Sequence, residues 1–323
     1  MRTAENGRQI TRGSYWLTVV LLIALGLLVA ACGSEAGSAP ADIAERQIRV
    51  VATTGMIADV VAHVGGERVD VDALMGPGVD PHLYKASAKD VVVLDEADII
   101  FYNGLHLEGR MTSIFERLQA TRLTLPVAEN IPTERLRRPP EFEGAWDPHV
   151  WFDVELWATT IDAIREGLTE LDPSHADIYQ ANANAYADEL GALDRWVAEQ
   201  FATVPEQSRV LITAHDAFGY MGDAYGLEVR GLQGTSTASE AGAADVRALA
   251  ETIVERSIKA IFIESSVPTS TIEAVQSAVR SRGHEVAIGG ELFSDAMGDP
   301  DSAEGTYIGM VRYNVNTIVA ALR

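Results

Sequence analysis

One cysteine, Cys32, is all the sequence contains, and that scarcity excludes two kinds of chemistry. No internal disulfide can form, and no CxxC metal or redox site exists. Positive charge is also scarce: 25 Lys and Arg stand against 47 Asp and Glu, a net charge of -22. Residues 1–31 hold Arg2, Arg8 and Arg12 against Glu5; without them 22 basic and 46 acidic residues remain, a net -24. This balance argues against nucleic acid and against charge-driven binding to an anionic membrane surface. It suits a cation ligand, although solubility alone accounts for much of it. Past residue 31 no segment is apolar enough to cross a membrane, so the body is expected to be soluble. What is present, 47% hydrophobic and 22% charged residues over 323 positions, is a globular composition with room for two domains.

The position of Cys32 carries more than its rarity. Arginines precede an apolar run from Trp16 to Ala31, broken by Thr18 and Gly26, and the run ends Leu28-Val29-Ala30-Ala31-Cys32. A basic start, a short apolar stretch and small residues before a cut site describe a secretory signal. The Val-Ala-Ala-Cys ending resembles a bacterial lipobox, in which the cysteine is lipidated and becomes the new N-terminus. The competing reading is an uncleaved anchor helix, for which the run is short of a full span. Either reading places the rest of the chain outside the cytoplasm. Residues 1–31 are thus expected to be a lipoprotein signal peptide. Residues 32–46, opening with Gly33-Ser34-Glu35-Ala36-Gly37-Ser38-Ala39-Pro40, are expected to be a flexible tether.

Strand signals recur at Ile48–Ala52, Val69–Leu74, Ile99–Tyr102 and Leu123–Leu125. Between them Ile57, Val60, Val61 and Val64, then Met111, Ile114, Phe115 and Leu118, repeat at helical spacing. A second series follows at Val210–Ile212, Glu228–Leu232, Ala260–Ile263 and Glu285–Ile288. Alternation of strand and helix predicts parallel sheets, here two (β/α)4 lobes of α/β class over residues 47–153 and 207–323. No strand candidate lies between the series. Residues 154–170 read as one helix, and a longer one starts at Asp172-Pro173-Ser174, where Asp172 can cap and Pro173 fits the first turn. Its apolar positions Ile178, Ala181, Ala185, Leu190, Leu193, Val197 and Phe201 carry it to about Phe201. A helix of that length within residues 154–206 would be a rigid strut joining the lobes; an ordinary long helix inside one domain is the competing reading.

Of seven histidines, His63, His175 and His284 fall in helices or beside a strand and need no special role. His82, His149 and His215 sit in loops, in Asp80-Pro81-His82-Leu83-Tyr84, Asp147-Pro148-His149-Val150-Trp151 and Thr213-Ala214-His215-Asp216-Ala217-Phe218. Proline fixes the backbone just before two of them, and open α/β sheets bind ligands beyond the carboxyl ends of their strands. Asp295, in Phe293-Ser294-Asp295-Ala296-Met297-Gly298, follows the last strand and occupies the same kind of loop. Three imidazoles and a carboxylate suit zinc, and the carboxylate suits manganese as well.

The segments Asp80–Tyr84, Asp147–Trp151 and Phe293–Gly298, with His215-Asp216-Ala217-Phe218-Gly219-Tyr220, resemble the four metal-site motifs of the cluster A-I solute-binding lipoproteins, and the ending Glu304-Gly305-Thr306-Tyr307-Ile308-Gly309-Met310-Val311-Arg312-Tyr313-Asn314 matches as well. The likeness covers about residues 46–323, with every motif in order. It implies a TroA-like fold, a zinc or manganese ABC importer whose permease would be the partner, and metal ligation by His82, His149, His215 and Asp295. It further implies one divalent ion per chain as cargo, a monomer, and lipid anchoring at Cys32 on the outer face of a bacterial cell membrane. Family members dedicated to manganese tend to carry Glu in the place of His215, and zinc members often carry a His-rich acidic loop. This chain has neither, since Asn130–Gly144 contains no histidine, and the metal stays open between zinc and manganese. His106, in Asn103-Gly104-Leu105-His106-Leu107-Glu108, is expected near the cleft but not as a ligand.

Two other functions compete with that of a non-enzymatic binding protein. A metallohydrolase would need an open position on the metal and a general base, for which Glu264 at the end of a strand is the candidate. Glu264 is instead expected to orient a ligand histidine. A surface adhesin would need a partner surface, which the sequence does not display.

Overall fold

The structure, a computed structural model, describes residues 43–139 and 144–323. The expected signal peptide, the anchor Cys32 and the tether up to residue 42 lie outside the described residues.

The first sheet is built by strand–helix alternation: β1 (Ile48–Ala52), α1 (Gly55–Gly65), β2 (Val69–Ala73), α2 (Ala88–Glu96), β3 (Ile99–Tyr102), α3 (Thr112–Leu118) and β4 (Leu123–Pro126). Its order is β2-β1-β3-β4, all parallel, with Val50 opposite both Val71 and Ile99. The central strands are nearly continuous apolar runs because helices cover both faces. The edge strand β2 alternates Val with Asp, leaving Asp70 and Asp72 outside. In α1 the buried Met56, Ile57, Val60, Val61 and Val64 form one stripe. Ser87 and Asp90 make a capping box that starts α2.

Next come α4 (Val154–Ala158), α5 (Thr160–Leu171) and α6 (Ala176–Ala202). The single helix expected over 154–170 is two. Thr159 and Thr160 turn their hydroxyls back onto the carbonyls of Leu156 and Trp157, each at 2.7 Å, and such side-chain competition interrupts a helix. Asp172 does not cap the long helix as expected; its carboxylate instead accepts from Arg68, Ser174 and Tyr179. A 3-10 turn, Pro173–His175, leads into the 27 residues of α6, about 40 Å of helix. Its buried face is set by Tyr179, Ala183 and Tyr186 before it reaches Leu190, Leu193, Val197 and Phe201, whereas Ile178 is exposed. Tyrosines with bonded hydroxyls displaced the expected aliphatic stripe in that half.

The second series is β5 (Val210–His215), α7 (Gly219–Tyr225), β6 (Glu228–Gln233), α8 (Ala243–Glu255), β7 (Ala260–Glu264), α9 (Ser270–Arg280), β8 (Ala287–Leu292) and α10 (Tyr307–Leu322). β5 pairs with β6 and β7 with β8, each in parallel, and β5 lies beside β7. The hydrogen-bonded ladder is therefore two pairs side by side. A register shift falls at Ile261/Phe262, where the Phe262 ring packs over Gly289. Those glycines also explain why the last strand runs on to Leu292 past its expected end at Ile288: Gly289-Gly290 reads as a breaker in sequence.

Three cores result. One lies under α2 and α3 on a face of the first sheet, and one joins β5 and β7 to α8 and α9. The largest runs from β1 and α1 through α4, α5 and α6 into α7 and α10, so it belongs to both lobes. Among the described residues no helix is long and apolar enough to cross a membrane.

Candidate metal centre

All four candidate ligands stand in loops or at strand ends, drawn from both strand–helix series. His82 follows β2, His215 ends β5, Asp295 lies three residues past β8, and His149 precedes α4. One donor atom from each lies within 4.8 Å of the other three, the one such cluster among the described residues. Their exposures, 6% for His82, 0% for His149 and His215, and 2% for Asp295, make this a closed site.

Carboxylates aim two of the rings. Asp147 Oδ1 accepts from the backbone N–H of His149 at 3.0 Å and lies 2.8 Å from its Nδ1. Glu264 does the same for His215 with separate oxygens: Oε1 accepts from the backbone N–H at 2.9 Å and Oε2 lies 2.5 Å from Nδ1. With Nδ1–H donated to a carboxylate, Nε2 of each ring points into the cluster, where it can give a lone pair to a metal once its own proton leaves. His82 Nε2 faces His149 Nε2 at 3.3 Å. Asp295 Oδ1 lies 3.3 Å from His149 Nε2, and Oδ2 lies 3.3 Å from His215 Nε2. Those contacts have ion-pair distance without hydrogen-bond geometry, and buried His215 Nε2 and Asp295 Oδ1 have no hydrogen-bond partner. Unpaired polar atoms are costly in a dry interior. A single cation among them would satisfy the whole set, so the donors fit a tetrahedral or five-coordinate metal ion.

The electrostatics agree. Burial keeps His82 neutral, its pKa pushed down to about 3. Burial also works against a charged His149, but Asp147 and Asp295 outweigh it and raise the ring to about 9. For His215 burial is likewise overcome, by Glu264 and Asp295, and its pKa rises well above the usual value. Burial opposes the charged form of Asp295 too, yet the three rings hold it well below the ordinary carboxylate range.

Further residues secure the ligand loops. Tyr220 donates to the carbonyl of Asp147 at 2.9 Å and accepts from the backbone N–H of Arg137 at 3.0 Å. A Cβ at Gly219 would overlap the Arg137 guanidinium, which reaches from there toward Asp147. Tyr307 donates to Trp151 O at 2.7 Å, and Trp151 Nε1 donates to Ser294 O at 3.0 Å. Asn314 grips the backbone of Phe293 from both sides, at 2.9 and 2.7 Å. Asn103 donates to Pro148 O at 3.1 Å. The Asn103–Glu108 and Tyr307–Asn314 segments thus act as scaffolding for His149 and Asp295. In sequence Trp151 and the Tyr307–Asn314 stretch stand out as parts of family-like motifs, with no sign of these backbone contacts. In sequence the Asp-Pro-His triplets point to proline, whereas the aspartate two residues ahead of each histidine makes the bonds. His106 is exposed at φ +64° and stands outside the cluster. His63 stacks on Tyr186, His175 pairs with Asp172, and His284 lies near Ile258 O, all away from the site.

Replacing Glu264 with Gln should weaken metal binding roughly ten- to a hundredfold, as loss of a group that orients a ligand does. The secondary structure should be unchanged, and chelator competition with circular dichroism measures both. Wild-type affinity in the variant would remove Glu264 from the site.

Paired parallel sheets, a long strut and a buried histidine–aspartate cluster at their junction together describe a substrate-binding protein of the metal-transport type. The chain belongs to the ZnuA family, zinc-uptake complex component A, periplasmic, whose model matches residues 50–321. It is 50% identical over 305 residues to the zinc-binding protein TroA of Treponema pallidum (strain Nichols), covering 93% of this chain and 96% of that one. It is 47% identical over 293 residues to the manganese-binding lipoprotein MntA of Bacillus subtilis (strain 168), covering 90% and 94%. The solved periplasmic zinc binding protein TroA from Treponema pallidum matches with a TM-score of 0.83 at 51% identity, over 85% of this chain and 99% of that one.

Proposed function

We propose that this protein captures one divalent transition metal ion, zinc or manganese, with His82, His149, His215 and Asp295, and delivers it to the permease of an ABC importer. The observation that carries the reading is the convergence of four buried metal-ligating side chains with unpaired polar atoms between them. The names of its relatives, one zinc-binding and one manganese-binding at nearly equal identity, support the class of cargo and leave both metals in play. The lobes proposed to enclose the ion are residues 47–153 and 207–323, with 154–206 connecting them.

A hydrolytic role for the same site has no support. Both oxygens of Glu264 are engaged with His215, so the residue that such a role would need as its general base is occupied in holding a ring. The family is one of substrate-binding components.

Ligand chemistry predicts that, at equal free concentration, zinc binds more tightly than manganese, since affinity rises from manganese towards copper and zinc. One feature runs the other way: both oxygens of Asp295 face the cluster, which allows bidentate binding and the higher coordination manganese accepts. Elemental analysis of protein purified without added metal, followed by competition titration, tests the proposal. Protein that retains neither metal and takes up neither on titration would overturn it.

Anchoring through a lipid on Cys32 at the outer face of the cell membrane is part of the same proposal. It is supported by the names of relatives called lipoproteins. Cys32→Ser should leave the chain exported but free of the membrane, because lipid is then its sole attachment. Membrane fractions still holding the variant would mean that the apolar run itself remains as the anchor.

A further inference from the structure

Three histidines reach the cluster, but only two have tethered rings. His149 rests on Asp147 and His215 on Glu264, whereas no described residue bonds to His82 Nδ1. His82 is also the most exposed of the four candidate ligands. Its place comes from the backbone: Asp80 Oδ1 accepts from the His82 N–H at 2.8 Å. The other oxygen of Asp80 accepts from Thr237 Oγ1 at 2.6 Å. Thr237 lies in the turn after β6, in the opposite lobe, and its side chain is buried.

The seam between the lobes is therefore fastened unevenly. The His149 segment is held through Tyr220, Tyr307 and Trp151. Among the described residues one hydrogen bond, Thr237 to Asp80, joins the 76–84 loop to the second lobe. Gly78 in that loop has φ +71° and passes Ser265 O without bonding to it. We infer that Thr237 is a positioning residue that latches the His82 loop across the seam and thereby sets how fast bound metal leaves. Loss of the latch frees Asp80, hence the backbone of His82, while His149, His215 and Asp295 keep their supports.

This inference rests on the metal-binding reading above, and the experiment separates the two. Wild-type protein loaded with zinc, and separately with manganese, is mixed with excess chelator in a stopped-flow instrument. Thr237→Val keeps the shape and removes the donor, and a bond to a charged acceptor predicts release faster by roughly ten- to a hundredfold. The association rate should stay within about twofold, since changes at one interface fall mainly on dissociation, and the metal-free melting curve should overlay wild type. Thr237→Ser, which restores the hydroxyl, should bring release back to within a few fold of wild type. If the valine variant does not fold, Thr237→Ala takes its place. Release at the wild-type rate from the donor-less variant, or equally fast release from the serine variant, overturns the latch. A wild type that takes up neither metal overturns the metal-binding reading itself, a distinct result.

Discussion

Asp295→Asn should weaken metal binding by roughly a hundredfold or more while the chain still folds. Of the four candidate ligands Asp295 alone is anionic, and it lies against all three rings. A tetradentate zinc site yields about 10–16 kcal/mol, so one ligand's share is about 3 kcal/mol, and a factor of ten is about 1.4 kcal/mol. Folding should survive because the rings can shed the protons that Asp295 stabilises, so no uncompensated buried charge is forced on the variant. Metal at a thousandfold excess over Kd stabilises wild type by about 4 kcal/mol. A hundredfold weaker variant at the same concentration would gain about 1.4 kcal/mol. Thermal melts with and without chelator therefore read the effect twice, as affinity and as lost stabilisation. Equal metal-induced shifts in the two proteins would show that Asp295 is not a ligand.

The second large effect is on pH. Because His149 is raised to about 9 and His215 well above its ordinary 6.5, both rings hold a second proton, on Nε2, at neutral pH in the metal-free chain. Those protons stabilise the metal-free fold fully below about 6.5, and that contribution is lost as pH rises through about 9 for His149. Metal competes for the same Nε2 positions, so apparent affinity runs the other way and climbs with pH. Each displaced proton contributes up to about tenfold per pH unit. For an ordinary histidine the affinity would fall only below about 6.5; the carboxylates behind the rings move that window upward. Titration at several pH values, repeated in buffers of different ionisation enthalpy, should show protons released on binding. A flat affinity between pH 6.5 and 8.5 would sink this account.

Most strands were legible because parallel sheets bury apolar runs that periodicity detects, as in Ile99–Tyr102. Where reading failed, polar groups were acting as structure. Tyr179 and Tyr186 look amphipathic in sequence but line the strut's buried face. Two threonines split a helix whose apolar spacing looked unbroken. At the centre the candidate ligands could be picked out because loops at strand ends carried histidine beside turn residues. Their supports could not, because Tyr220, Tyr307 and Asn314 act through backbone carbonyls and amides far away in sequence. Thr237 meets Asp80 across 157 positions, and no local pattern encodes that pairing.

The core that passes from β1 through α6 into α10 also governs how the molecule comes apart. Neither sheet owns a complete core of its own on that side; each borrows apolar surface from a helix that the other also needs. Detaching one half would expose that shared surface to water, so there is little to gain from a state with one sheet folded and the other lost. Unfolding of the two sheets is then expected to be coupled, so that a protease cutting within this shared core requires both to open. A chain proposed to work outside the cytoplasm, beyond the reach of ATP-driven refolding, would draw its endurance from that shared helix.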